Sequence, residues 1–176
     1  MFSAMRKGIL GLSLFCAFVL SNAVVGAATA SAVLSASSVT ITAPPANFSY
    51  SGTLSGDVLN LSSSFAVSVN DPSGTHAGWN LQASIGVLTA TDSSTIPASA
   101  HTIQNVALSN VTGTAPVDNI VYPLAIPTTT GKIFSANANS GSGKSTMTFA
   151  TQLAVPADAS AGSYTATLTV SVVSGP

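Results

Sequence analysis

Apolar side chains recur at every second position along most of the chain after residue 38. The clearest example runs from Tyr164 to Val172, where apolar residues alternate with Thr or Ser. Successive side chains of a β-strand point to opposite faces, so this period of two predicts strands with one packed and one solvated face. No segment after residue 33 has the 3.6-residue period of an amphipathic helix, and the many Val, Ile and Thr residues also favour strands. The sequence therefore predicts an all-β domain.

Turn-forming clusters divide this alternation into eight predicted strands. They cover residues 39–42, 48–54, 59–69, 79–85, 102–108, 119–126, 147–155 and 164–172. Residues 70–78 form a turn-rich loop, and residues 156–162 are predicted to be a hairpin-like connection between the last two strands. Eight short strands at this spacing predict an antiparallel β-sandwich of the immunoglobulin-like kind.

The first residues have the layout of a secretory signal peptide. Arg6 and Lys7 form a positive region, an apolar stretch covers residues 9–20, and small residues follow. We expect cleavage after Ala32. The alternative is an uncleaved anchor over residues 9–30, which just reaches the roughly 20 residues needed to span a bilayer. The chain is thus predicted to be exported to the cell surface.

The predicted organisation is a helical signal peptide, 1–32, followed by a single domain, 33–176. After cleavage we expect no association of this domain with the membrane. The only cysteine, Cys16, lies inside the signal. The exported domain would therefore contain no thiol, which excludes a disulfide scaffold, Cys-ligated zinc and a cysteine nucleophile.

Charge is scarce in the predicted domain. Lys132 and Lys144 are its only basic residues apart from histidine, and they stand against five aspartates and no glutamate. Neutralising a phosphate backbone takes clustered Lys and Arg, so nucleic-acid binding is not expected. A surface made of hydroxyls and amides is more typical of extracellular wall or fibre proteins.

Motifs that suggest chemistry have weak support. Residues 138–145 satisfy a loose phosphate-binding pattern, but they run directly into an alternating strand where a P-loop would open a helix. His76 and His101 have no glutamate to partner them, and no nucleophile elbow accompanies Asp71 and His76. The aspartates are scattered singly, without a calcium loop. We therefore expect no enzyme, metal site or cofactor.

Trp79 is the only tryptophan and begins a predicted strand after a glycine-flanked loop. Two interpretations remain open at this point. The indole could anchor the core, as in many sandwich domains. It could also belong to an exposed binding face, where an aromatic side chain supplies much of the contact energy.

Residues 69–81 resemble the first Trp-x-Leu segment of the WxL domain of Gram-positive surface proteins. Asp71, Gly74 and Gly78 precede Trp79 and Leu81 as the motif requires. Residues 153–170 resemble the closing segment of the same family, and the likeness extends over residues 65–176. One departure is clear, because Val170, Ser171 and Val172 stand where the family has its second Trp-x-Leu.

The resemblance implies a β-rich domain held noncovalently at the bacterial cell wall, with peptidoglycan or other surface proteins as partners. It also implies that Trp79 and Leu81 are the motif residues, with Asp71, Gly74 and Gly78 shaping the loop before them. Attachment would then depend on noncovalent contact and the burial of surface against the partner, and no reaction would be catalysed. The alternative is a structural subunit of an extracellular fibre, which the low charge and the lack of lysines guarding the sheet edges would favour.

Overall fold

The computed structural model describes residues 31–176, and the predicted signal peptide lies outside the described residues except for Ser31 and Ala32. The strands are β1 (Thr40–Ala43), β2 (Leu59–Asp71), β3 (Trp79–Ile85), β4 (Leu88–Ala90), β5 (Thr95–Ile96), β6 (His101–Gly113), β7 (Leu124–Ala125), β8 (Gly131–Ala136), β9 (Gly143–Val155), β10 (Tyr164–Thr165) and β11 (Leu168–Ser174). One 3-10 turn, Ala98–Ala100, precedes β6. Among the described residues, no helix is long and apolar enough to cross a membrane.

The larger sheet has the strand order β1-β2-β9-β6-β7 and is antiparallel throughout. Its centre is the pair β2 and β9, which match along their whole length from Leu59 opposite Val155 to Asp71 opposite Gly143. The odd-numbered residues of both strands face inward, as the sequence predicted. The buried apolar ones are Phe65, Val67, Val69, Met147, Phe149, Leu153 and Val155.

The opposite layer consists of two short sheets, β11-β3-β8 and β10-β4-β5. Thr165 lies opposite Thr89 and Leu168 lies opposite Ile85, so the same two stretches of chain run side by side through both sheets. From this layer, Trp79, Leu81, Ala83, Ile85 and Phe134 pack into the shared core. The chain is therefore an antiparallel β-sandwich, and the predicted fold class is confirmed.

The order β1-β2-β9-β6 matches the A-B-E-D order of the larger sheet of immunoglobulin domains, and β11 beside β3 matches the neighbouring F and C strands. The other sheet departs from that plan. β8 takes the far side of β3, and among the described residues no strand pairs with the outer edge of β11.

Three predicted strands differ from the structure: 48–54, 119–126 and 164–172. Residues 48–54 form no strand. Phe48 and Tyr50 alternate with serines because their rings pack onto the larger sheet, and the ring centroids of Phe48 and Phe65 are 5.3 Å apart. Within 119–126 only β7 is a strand. Three further strands are not predicted by alternation. β4 and β5 are too short to show it, and the last four residues of β8 are all buried and do not alternate.

The predicted hairpin at residues 156–162 is wrong. β9 pairs with β2 and β6 in the larger sheet, whereas β10 and β11 pair with β4 and β3 in the opposite layer. Residues 156–162 therefore cross from one layer to the other. Alternation identified 147–155 as strand, but the predicted strand 164–172 is divided into β10 and β11, with Ala166 and Thr167 in neither. Alternation also carries no information about which strands become neighbours.

Candidate functional site

The indole of Trp79 is fully buried between the two layers of the sandwich. It stacks on Phe134 of β8, with ring centroids 5.4 Å apart and an interplanar angle of 22°. Its Nε1–H donates to the carbonyl oxygen of Gly141 at 2.9 Å. A Cβ on Gly141 would lie 2.7 Å from Nε1, so the close approach of this loop depends on glycine. Of the two interpretations of Trp79, the structure shows the core anchor and excludes the exposed aromatic.

Leu81, the other motif residue, is also fully buried. The strand beside it is β11, in which Val172 lies opposite Leu81 and Val170 lies opposite Ala83. Both valines are partly buried and pack against the core cluster that contains Trp79. The segment that replaces the family's second Trp-x-Leu is therefore the direct neighbour of the first, and its valines pack the sandwich.

The loop before Trp79 is shaped by the three remaining motif residues. Asp71 is buried at the end of β2, and its Oδ1 accepts a hydrogen bond from the Ser73 amide at 3.0 Å. Gly74 has φ 65° and lies in open space. Gly78 has φ 77°, and a Cβ there would collide with the backbone of Ala136 and Asn137. Gly78 thus lets the loop reach β8 at the point where Trp79 enters the core.

The residues considered for catalysis do not assemble. His76 Nδ1 is 3.2 Å from the Ser142 hydroxyl on the exposed surface, while the Asp71 carboxylate bonds within its own turn. Residues 138–142 form a turn and residues 143–145 already belong to β9, and the Gly141 carbonyl accepts the hydrogen bond from Trp79. Within residues 31–176 no group of three or more His, Cys, Asp or Glu side chains is placed to hold a metal ion.

An open groove of about 1150 Å³ lies at the end of the sandwich where β4, β5 and β10 face the larger sheet. Residues 45–54 form one wall and residues 160–168 form the other. Its floor is apolar: Leu59, Leu61, Ile85, Leu88, Ile96, Leu153 and Val155. This volume is slightly larger than the roughly 300–1,000 Å³ that small-molecule sites usually enclose.

The lining of the groove carries hydroxyls and aromatic rings but no charged side chain. Tyr50 donates to the Thr151 hydroxyl at 2.8 Å, and Tyr164 donates to the Ser160 carbonyl at 2.9 Å, so both phenols are held in place. Sequence analysis did not identify this groove. One wall, 45–54, contains the predicted strand 48–54 but pairs with no strand. The other contains the end of the predicted hairpin connection together with β10, which pairs with β4.

His101 closes the groove from below and is 2% exposed. Its ring lies 5.5 Å from that of Tyr50, and its Nδ1 is buried without a hydrogen-bond partner in the described chain. Burial lowers the pKa of His101 below its ordinary value, because the charged ring would lose its hydration. The imidazole is therefore a neutral part of the floor.

A second unpredicted feature is Asp118, which fastens the segment before β7 to β8. Its carboxylate accepts hydrogen bonds from the amides of Ile120 and Ser135 at 3.0 and 2.9 Å, and from the Tyr122 hydroxyl at 2.7 Å. Burial and this carboxylate together raise the pKa of Tyr122. Asp118 thus holds the segment before β7 against β8, next to Phe134, the ring on which Trp79 stacks.

Comparison with known proteins gives one family. Its sequence model, described as a WxL domain for surface cell wall binding, matches residues 28–176. A search of curated proteins finds no match. The matched range contains every strand of the sandwich, the buried Trp79 and both walls of the groove.

Substitution of the two loop glycines should separate backbone strain from collision. Gly74→Ala adds a methyl group in open space at a positive φ and should lower the free energy of unfolding by about 1 kcal/mol. Gly78→Ala adds the collision with Ala136 and Asn137, and should cost about 3 kcal/mol or more. Urea denaturation of both variants measures the difference, and equal losses would contradict the packing described for Gly78.

The buried His101 should make stability depend on pH. The unfolded histidine has a pKa of about 6.5, so below that pH the unfolded chain binds a proton that the folded chain excludes. The free energy of unfolding should therefore fall between about pH 7.5 and about pH 5.5. His101→Gln should reduce this fall. A fall that persists undiminished in His101→Gln would show that other groups cause it.

Proposed function

Since the chain belongs to the WxL family of surface cell wall-binding domains, we propose that it is held noncovalently at the cell wall by glycan strands of peptidoglycan lying in the groove between residues 45–54 and 160–168. The observation that carries this proposal is the lining of the groove, which combines hydroxyls and aromatic rings with an absence of charge. Attachment would be contact and burial, with no chemistry performed.

The motif residues support the proposal indirectly. Trp79 and Leu81 have no exposed surface, so the wall must be contacted by other side chains. Their part in binding would be to fix the loop and the sheet that carry the rest of the domain. On this account the replacement of the second Trp-x-Leu by Val170 and Val172 is compatible with wall attachment, because these positions pack the same layer.

The chemistry of the groove favours the glycan over the stem peptide. Sugar rings bring hydroxyls and acetamido groups with weakly polar faces, which suit aromatic rings beside hydrogen-bonding side chains. Stem peptides carry carboxylates and amines, and burying such charges without partners is costly. No charged residue lines the groove to receive them.

Tyr164 offers the sharpest test, because its half-buried ring lines the groove and its hydroxyl holds Ser160 on the wall. Truncating an aromatic contact residue at a binding hot spot costs more than about 1 kcal/mol, so Tyr164→Ala should bind purified peptidoglycan about fivefold or more weakly. Tyr164→Phe keeps the ring and should bind nearly as well as the wild type. Cosedimentation of each folded variant with purified peptidoglycan measures the difference.

Competition identifies the ligand in the same assay. Soluble glycan strands freed of stem peptides should displace the protein from the wall, and free stem peptides should not. Displacement by stem peptides alone would contradict the glycan assignment. Unchanged retention of Tyr164→Ala would show that the groove does not bind the wall. No retention of the wild type would show that peptidoglycan is not the ligand.

A further inference from the structure

The second half of β6 is an unusually exposed sheet edge. Residues 105–113 pair with β9 on one side only, since β7 pairs with no residue beyond Thr102 and Ile103 of this strand. All of these nine residues are exposed except Val106, which is half-buried. Among the described strands, none covers the free side. A row of backbone amides and carbonyls is thus available for another strand.

This edge has only part of the usual protection, because bulges interrupt β6 but no charged residue or Pro lies within the edge. Natural sheet edges commonly carry charged residues, Pro or bulges that discourage pairing with another chain. Residues 105–113 include no charged residue and no Pro, and Leu108 and Val111 are 41% and 38% exposed. Irregularities interrupt the pairing between Ile103 and Asn105 and between Ser109 and Thr112. They leave residues 105–109 as one regular stretch between them.

We propose that this stretch pairs with the same stretch of a second copy, antiparallel and about a twofold axis at Ala107. In that register Ala107 faces Ala107 of the second copy, Val106 faces its Leu108, and Asn105 faces its Ser109. It is the only register in which all five regular residues are paired. The surface is self-complementary, as a closed twofold dimer requires.

The two faces of the paired strands suit this register. Val106 and Leu108 lie opposite Phe149 and Met147 of β9, so both belong to the inward face of the sheet. Pairing brings each valine against a leucine of the other copy, a favourable cross-strand contact that also covers the exposed Leu108. The outward face would bring together only Asn, Ala and Ser, which neither collide nor repel.

The proposal is independent of the groove. No residue of 105–113 lines it, so a dimer formed at this edge would leave both grooves open to a ligand. A closed pair also differs from a fibre, because twofold contacts use up the interface and cannot propagate.

Cysteine cross-linking tests the register directly. In a Cys16→Ser background the chain has no other thiol. Residues directly opposite in an antiparallel pair have Cβ atoms about 5 Å apart, so Ala107→Cys should form a disulfide-linked dimer under mild oxidation. Ser109→Cys is the matched control. Its two copies would be offset by four residues, about 13 Å along the strands, and should stay unlinked.

Light scattering without any cross-link provides the second measurement. The wild type should have twice the mass of the monomer at high concentration, and Leu108→Lys should be monomeric because it places a charge inside the pair. Leu54→Lys, at an apolar residue of similar exposure elsewhere, should remain a dimer. A monomeric wild type, open-ended polymers, or equal cross-linking at positions 107 and 109 would overturn the proposal.

Discussion

The stacking of Trp79 on Phe134, with its Nε1–H bonded to the Gly141 carbonyl, is the interaction on which the rest of the structure depends. It joins β3, β8 and the loop before β9 at one point, and it carries the indole out of water while satisfying its only donor. Gly141 and Gly78 allow the two loops to come close enough for this. The end of the chain meets the same place, since the Gly175 amide donates to the Gly78 carbonyl at 2.9 Å.

A signature residue with no exposed surface changes what the family motif means for this chain. The tryptophan specifies how the layers and loops are joined, and the chemistry of attachment is left to surfaces that the motif does not contain. The neighbouring β11 shows the same division, because Val172 faces Leu81 and packs without an aromatic ring. In this chain, therefore, the most recognisable residue of the family motif has no exposed surface with which to touch the wall.

Alternation predicted the strands that lie across the core, such as β2 and β9, because one buried face imposes a period of two. It failed where alternating residues are buried without belonging to a strand, and where a strand is buried without alternating. Phe48 and Tyr50 alternate but belong to no strand, and Phe134 lies in a strand whose buried residues do not alternate. The pattern also does not indicate which strands pair with one another, so neither the layer crossing at 156–162 nor the groove beside it could be predicted. Trp79 and Gly141 lie 62 positions apart in the chain, so their hydrogen bond depends on the topology of everything between them.

Trp79 is the only tryptophan in the chain, so its fluorescence reports on this one site. Emission spectra and acrylamide quenching of the folded protein, recorded with and without peptidoglycan fragments, test the central claim that the indole belongs to the core. We expect blue-shifted emission, strong protection from acrylamide, and no change in either when the fragments bind. Emission typical of a solvated indole, or protection that arises only when the fragments are added, would contradict the account.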